Sequence, residues 1–192
     1  MTRRPFVLGL AGPAGVGKST IARVIVEQVP ASTIIATGAP LKDMMLALYA
    51  SAGVDPAEAS RRVYGDLKRA PCPILGGRTP THAMQTLGTE WGRDLIDPAL
   101  WVRVWAARAA RRLAEGWSVV NDSVRFPNEV DAIHALGGVV VRLHGPRGHD
   151  VGAHASEAGV VADLAVWNGL APPEVAAAVL ARAEAIRPAG PP

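Results

Sequence analysis

The sequence has little of what a secreted or membrane-embedded protein needs. Its 192 residues include a single cysteine, Cys72, which has no partner in the chain for a disulfide. No apolar run approaches the roughly 18 residues that a membrane span requires. Residues 1–4 lead directly into an apolar stretch and leave no room for a signal peptide. We therefore expect a cytoplasmic protein with no membrane partner.

Excess charge of one sign is also scarce. The 20 Lys and Arg residues exceed the 17 Asp and Glu residues by three, which gives a net charge of +3 at pH 7. This excess suits a protein that handles several phosphates but is too small to predict a nucleic-acid partner. Four arginines lie in residues 103–112, where we expect a solvated helix face rather than a binding patch. We expect no stable complex with nucleic acid.

Residues 12–19 read GPAGVGKS and match the phosphate-binding pattern G-x-x-x-x-G-K-[ST]. An apolar stretch of strand length precedes them, and apolar residues at helical spacing follow, which is the context that the motif requires. The glycines let backbone N–H groups approach phosphate oxygens, the lysine adds a mobile cation, and the serine hydroxyl can bind Mg²⁺. The sequence therefore predicts ATP bound with Mg²⁺. The residues expected to contact ATP are Gly12, Ala14, Gly15, Val16, Gly17, Lys18, Ser19 and Thr20.

Apolar segments of strand length alternate with segments of helical periodicity along the chain. The predicted strands are residues 5–11, 33–36, 117–121, 139–143 and 164–167. The predicted helices follow the phosphate loop, cover 41–50, 55–68 and 81–95, begin again near 98 and 127, and cover 172–186. This alternation predicts one α/β domain over residues 1–192, with a central parallel sheet covered by helices on both faces.

Ligands of such sheets gather at the carboxyl ends of the strands. Residues 12–19, 37–42 and 122–125 are expected to meet there. Asp122 ends an apolar strand, where a carboxylate can orient Mg²⁺ with Ser19, although a helix cap or loop acid would look the same. Arg125 can bind a phosphate or form an ion pair with Asp122 or Glu129.

A second glycine-containing loop, residues 145–148, carries Arg147. A loop of this kind can close over phosphates and exclude water, with Arg147 or Arg142 supplying charge, but an ordinary surface loop has the same composition. His149, Asp150, His154 and Glu157 follow at spacings that match no dense metal-ligand pattern.

Two strings, MQTLGTEWGR at residues 84–93 and VRFPNE at residues 124–129, resemble segments of the phage-type deoxynucleoside monophosphate kinases of the P-loop NTPase superfamily. The first string is similar to that family's L-Q-x-L-G-T-E-W-G-R segment. The second resembles its V-R-F-x-N-E segment. Weaker matches are the P-L-K at residues 40–42, the H-x-S-E at 154–157 and the N-G at 168–169. The resemblance covers residues 6 to about 180, and it departs at Ser123, at Thr81 and His82, and at Gly145.

The resemblance implies a nucleoside-monophosphate-kinase-like three-layer α/β/α fold, ATP-dependent phosphorylation of a deoxynucleoside monophosphate with Mg²⁺, and a homodimer. It implies a monophosphate-binding region near residues 37–95, a lid near 145–157, and host cytoplasm as the location if a phage encodes the chain. The catalytic candidates are Lys18, Asp122, Arg125 and Arg147, and the metal ligands are Ser19 and Asp122. The residues that would bind the deoxynucleotide are Gly38, Lys42, Arg78, Gln85, Thr89, Glu90, Trp91 and Arg93.

Several alternatives stay open at this point. Trp91 can stack on a base or simply pack in a core, and Glu90 with Arg93 can be an exposed helix pair. Another phosphate-loop kinase, acting on dephospho-coenzyme A or a sugar acid, shares the loop. A nucleotide-dependent switch that hydrolyses ATP slowly and binds a protein shares it too.

Overall fold

A five-stranded, fully parallel sheet is the centre of the fold. The computed structural model describes residues 4–146 and 160–187. The strands are listed here in chain order: β1 (Val7–Ala11), β2 (Ser32–Ile34), β3 (Ser118–Asn121), β4 (Val139–His144) and β5 (Leu164–Trp167). Their order across the sheet is β2-β3-β1-β4-β5. All five residues of β1 are buried, as expected for the middle strand of a sheet that is covered on both faces.

Helices cover both faces of this sheet. On one face α1 (Lys18–Gln28) and α7 (Pro172–Ile186) pack through Ile21, Ile25 and Val179 onto Leu8 and Leu10 of β1. On the other face lie α5 (Leu100–Ala114) and α6 (Pro127–Ala135). Their Trp105 and Ile133 join Val7, Val119 and Val140 in a second apolar cluster. The result is the three-layer α/β/α architecture of nucleoside-monophosphate-kinase-like folds.

The chain divides into two compact units. The unit that contains the sheet takes Met1–Thr37 and Trp105–Pro192, and the second unit takes Gly38–Val104. The second unit is helical: α2 (Ala39–Ser51), α3 (Pro56–Tyr64), α4 (Pro80–Thr86), a π-helix (Leu87–Ile96) and the beginning of α5. Short 3₁₀ turns at Asp66–Arg69 and Pro73–Leu75 connect them. Its own core is formed by Met45, Tyr49, Ala59, Val63 and Cys72.

The five strands lie where the sequence predicts them, but the helices of the second unit differ in detail. The sequence places Leu41, Met44, Met45 and Leu48 on one face of this helix. In α2 Met45 is buried, but Met44 and Leu48 are 40% and 44% exposed, and Tyr49 is buried instead. The inward face of α2 is set by Tyr49, whose large side chain fills the core of the second unit next to Met45. The helix predicted over 55–68 ends at Tyr64, because the chain leaves the helical conformation at Gly65 (φ −107°, ψ −151°).

The helix predicted over 81–95 is interrupted by a change of helix type. It begins as α4 and continues from Leu87 to Ile96 as a π-helix. Its glycines explain the change: the indole N–H of Trp101 donates to the Gly88 carbonyl at 2.8 Å. A β-carbon at Gly92 would lie 2.4 Å from the same indole nitrogen. The widened helix therefore receives the Trp101 ring, and π-helical turns often mark functional sites.

We expect Gly92→Ala to destabilise the protein by about 1–3 kcal/mol, because the added methyl group overlaps the buried Trp101 ring. Chemical denaturation followed by tryptophan fluorescence measures this. The control is Gly38→Ala, where a β-carbon meets no atom within 4 Å and φ is −81°. Equal free energies of unfolding for the two variants would show that Trp101 does not need the space above Gly92.

No helix in the described part of the chain combines the length and the apolar character that crossing a bilayer demands.

Candidate functional site

The phosphate loop, residues 12–19, connects the carboxyl end of β1 to the first turn of α1. Its three glycines, Gly12, Gly15 and Gly17, have φ values of 131°, 76° and 97°. Side chains other than glycine rarely adopt these angles, which explains the residue types of the motif. Gly17 is the N-cap of α1, and among the described residues no side chain caps this helix start. The positive end of the α1 dipole therefore faces the loop, as an anion site requires.

Lys18 begins α1 and turns back onto the loop. Its ammonium donates to the carbonyl oxygens of Gly12 and Pro13 at 2.7 and 2.9 Å. Burial lowers the pKa of Lys18, the positive charge of Arg125 lowers it further, and Asp122 acts in the opposite direction. A partly buried ammonium with a second positive charge nearby favours an anion beside it, because a phosphate would offset both the lost hydration of Lys18 and the repulsion between the two cations.

Ser19 and Asp122 meet although 103 positions separate them in the chain. The Ser19 hydroxyl donates to Oδ2 of Asp122 at 2.6 Å. A hydroxyl and a carboxylate side by side supply the oxygen ligands that Mg²⁺ prefers, and both groups are accessible from solvent. The donor set therefore fits a magnesium ion next to the phosphate loop.

A buried polar network holds the strand end from which Asp122 projects. The amide of Asn121, which is fully buried, donates to the Thr37 hydroxyl at 2.9 Å. Its carbonyl oxygen accepts from the backbone N–H and the hydroxyl of Ser123 at 3.0 and 3.1 Å. Ser123, which stands where the resembled family has an acid, therefore faces Asn121, and the carboxylate that reaches Ser19 is that of Asp122.

Arg125 lies on the turn between β3 and α6 with an exposed side chain. Its possible partner Glu129 is buried, and the Glu129 carboxylate accepts from the backbone N–H groups of Arg125 and Phe126 at 2.6 and 3.2 Å. Glu129 thus fixes the backbone of the turn. The guanidinium of Arg125 is near enough to Lys18 to lower the pKa of its ammonium, which places this charge beside the phosphate loop.

The second unit contains the residues that the resemblance assigns to a deoxynucleotide. Most of them are exposed: Arg78, Gln85, Thr89, Glu90 and Trp91. Gly38 is the N-cap of α2. Arg93 donates to the Pro98 carbonyl at 3.1 Å, and the Lys42 ammonium lies 4.9 Å from the centre of the Tyr64 ring.

Trp91 is 40% exposed and is therefore not a core residue of the second unit. Its ring centre lies 6.0 Å from that of Trp101, with an interplanar angle of 41°. Trp101 is itself 5% exposed and anchored by its bond to Gly88. The π-helix thus leaves part of the Trp91 side chain exposed to solvent, next to the buried ring of Trp101.

Some predicted residues fall elsewhere. Arg147 and the string at residues 149–157 lie outside the described residues. The alternative closing residue, Arg142 of β4, donates to the Val160 carbonyl at 3.3 Å. Within the described ranges, no group of three or more His, Cys, Asp or Glu side chains is arranged to hold a metal ion. The basic face of α5 is partly neutralised, since Arg103 pairs with Asp97 and Arg112 with Glu115, each at 2.8 Å.

Comparison with known proteins identifies a viral relative by sequence. The chain is 29% identical over 164 residues to a protein of Acanthamoeba polyphaga mimivirus described as a "Putative deoxynucleotide monophosphate kinase". The match covers 79% of this chain and 80% of that protein. No protein-family model matches the sequence.

Solved structures share the fold. The tunicamycin resistance protein of Deinococcus radiodurans superimposes with a TM-score of 0.50 at 15% identity, covering 98% of this chain and 100% of that one. TT1252 of Thermus thermophilus gives a TM-score of 0.50 at 15% identity, covering 97% and 100%. At this identity the likeness shows the fold alone. The phosphate loop and the viral relative are the findings that support a P-loop kinase.

Sequence reasoning missed the part that Asn168 plays. This residue follows β5 and is 5% exposed. Its side-chain amide donates to the Val16 carbonyl inside the phosphate loop at 2.6 Å. The sequence does mark this residue, because residues 168–169 match the N-G of the resembled family. That match does not indicate which residue Asn168 contacts, and Val16 lies 152 positions away in the chain.

Proposed function

We propose that the protein transfers the terminal phosphate of ATP to the 5′-phosphate of a deoxynucleoside monophosphate. The observation that carries the proposal is the contact of Ser19 with Asp122 at 2.6 Å beside a phosphate loop that holds Lys18. A switch needs only a nucleotide to bind. The further cation Arg125 next to Lys18 favours a reaction in which charge moves between two phosphates.

The residues of the sheet-containing unit have distinct parts in this proposal. The N–H groups of the phosphate loop and the first turn of α1 bind the phosphates of ATP. Ser19 and Asp122 would hold Mg²⁺, which would supply positive charge that neutralises the phosphates. Lys18 and Arg125 offset the negative charge on the transferred group.

The transfer needs no protein base. An oxygen of the acceptor phosphate is already ionised at neutral pH, attacks the terminal phosphorus and forms the new P–O bond. The bond from that phosphorus to the oxygen bridging the second phosphate breaks, and ADP leaves. Positioning and charge neutralisation are therefore the work that the chain must do.

The acceptor assignment rests on the second unit. The partly exposed Trp91 ring suits stacking on a base, and the exposed Gln85 and Glu90 can hydrogen-bond to a base edge. Lys42, Arg78 and Arg93 are the cations proposed to bind the acceptor phosphate. The viral relative and the string at residues 84–93 support a deoxynucleotide as this acceptor. The homodimer and the cytoplasmic location stay predictions.

A panel of acceptors tests the proposal. ATP turnover is measured with each of the four common deoxynucleoside monophosphates, with their ribose counterparts, with dephospho-coenzyme A and with gluconate. We expect ADP to form together with a deoxynucleoside diphosphate. Turnover with dephospho-coenzyme A or gluconate but with no deoxynucleotide would show that the acceptor belongs to another class. ADP formation at a rate independent of every acceptor would favour a nucleotide-dependent switch that hydrolyses ATP.

A matched pair of tryptophan variants locates the acceptor. Trp91→Ala is expected to raise the KM of the acceptor about tenfold, because base–aromatic stacking contributes about 1–3 kcal/mol, and to leave the KM of ATP unchanged. The control is Trp117→Ala, which removes an indole of similar exposure (38%) from the other unit. Equal acceptor KM values in both variants would remove Trp91 from the site.

A further inference from the structure

The turn after β5 is bound directly to the phosphate loop. The Asn168 amide donates to the Val16 carbonyl at 2.6 Å, and the Asn168 backbone N–H donates to the His144 carbonyl at 2.5 Å. The first bond reaches the middle of the phosphate loop, and the second continues the pairing of β5 with β4. Asn168 therefore ties an edge strand of the sheet to the loop that follows the central strand.

The space around Asn168 is closed on two sides. A β-carbon at Gly17 would lie 2.6 Å from the Asn168 amide nitrogen, and one at Gly145 would lie 2.8 Å from the Asn168 carbonyl oxygen. Both neighbours are glycines, so the asparagine fits without displacement. With 5% of its surface exposed, its side chain has little freedom to adopt another position.

The bond to Val16 also sets the direction of the next N–H group. The peptide unit between Val16 and Gly17 is planar and trans, so its C=O and N–H point in opposite directions. Because Asn168 holds the carbonyl from one side, the N–H of Gly17 must point to the other side. In a loop that binds phosphate through backbone N–H groups, this orientation decides whether a donor is available.

We infer that Asn168 is a positioning residue of the phosphate site, which aims the Gly17 N–H at the bound phosphate by holding the Val16 carbonyl. The inference rests on the proposed binding of ATP by this loop. Asn168 does not touch the nucleotide in this account and acts through the peptide that it holds. An asparagine is suited to the task because its amide is a neutral donor that adds no charge beside the phosphates.

Asn168→Asp tests the inference with little change of shape. The substitution replaces the N–H donor with a carboxylate oxygen that faces the Val16 carbonyl, so the peptide is expected to turn away. Calorimetry should show the Kd of Mg·ATP rising at least about tenfold, which corresponds to about 1.4 kcal/mol. The KM of the acceptor should stay unchanged. The control is Ser32→Ala, which removes a hydrogen bond of the same length, from the Ser32 hydroxyl to the Val29 carbonyl at 2.6 Å.

Asn168→Ala separates positioning from a purely structural tie, and it also serves if the aspartate variant does not fold. A structural tie lowers the melting temperature of the free protein but leaves the increase produced by ATP unchanged, and that result would overturn the inference. A positioning residue reduces the ATP-induced increase itself. If the wild-type protein binds ATP and both Asn168 variants bind it equally well, the inference is wrong and the proposed function stands. If the wild-type protein binds no ATP, the proposed function fails first and the inference with it.

Discussion

Replacing Lys18 with methionine is expected to lower kcat/KM for ATP by at least about a hundredfold, the usual scale for losing one charged donor to a transition state. The structure gives two reasons. The ammonium is the cation nearest the loop carbonyls of Gly12 and Pro13, at 2.7 and 2.9 Å, and its loss removes charge from the phosphate site. Its partial burial also means that water cannot fully replace it. Steady-state turnover with saturating acceptor measures the effect.

Two further variants make this result specific. Lys68→Met removes the same charge from the second unit and should leave kcat/KM within about twofold, as expected for a surface substitution away from a site. Lys18→Arg keeps the charge in a larger group and should recover only part of the activity, because a guanidinium does not fit the position of a compact ammonium. If Lys18→Met turns over ATP at the wild-type rate, the loop at residues 12–19 is not where the reaction takes place.

Asp122→Asn is expected to lower kcat by about a hundredfold while changing the Kd of ATP by less than about threefold. The amide keeps the shape of the carboxylate and can still contact the Ser19 hydroxyl, which now lies 2.6 Å from Oδ2. The negative charge that would hold Mg²⁺ in place is lost, and this charge matters most when the phosphate is transferred. Single-turnover kinetics and calorimetry give the two quantities separately.

The control for this variant is Asp131→Asn, at an exposed position of α6 in the same unit. It makes the same chemical change and should leave both quantities as in the wild-type protein. If Asp122→Asn weakens ATP binding as strongly as it lowers turnover, the carboxylate contributes to binding ATP and not specifically to the transition state of phosphate transfer. Unchanged turnover would move the magnesium site to other residues.

The sequence predicts the sheet better than it predicts the second unit. The inner strands are the easiest to recognise because they are short apolar runs buried in the sheet, as in β1, where all five residues are buried. The edge strands β2 and β5 are less buried and are recognised by their β-branched and aromatic residues. The order β2-β3-β1-β4-β5 is not visible in any local pattern, since it depends on pairing between distant segments. The π-helix at Leu87–Ile96 was missed for the same reason: the Trp101 ring that occupies the space over Gly92 comes from the next helix.

The candidate site divides in a similar way. The phosphate loop could be predicted because all its residues are consecutive and their conformations need glycine. The approach of Asp122 to Ser19 could be expected because both follow parallel strands, whose carboxyl ends lie at the same edge. The contact of Asn168 with Val16 could not, because an asparagine in a turn is most often explained by the turn itself.

The most direct test of the account follows the terminal phosphate of ATP itself. ATP labelled at that phosphate is mixed with excess protein, Mg²⁺ and a deoxynucleoside monophosphate, and the products of one turnover are separated. The account predicts that the label appears in a deoxynucleoside diphosphate, with ADP formed in equal amount. Label recovered as inorganic phosphate, at a rate that does not depend on the monophosphate, would contradict it.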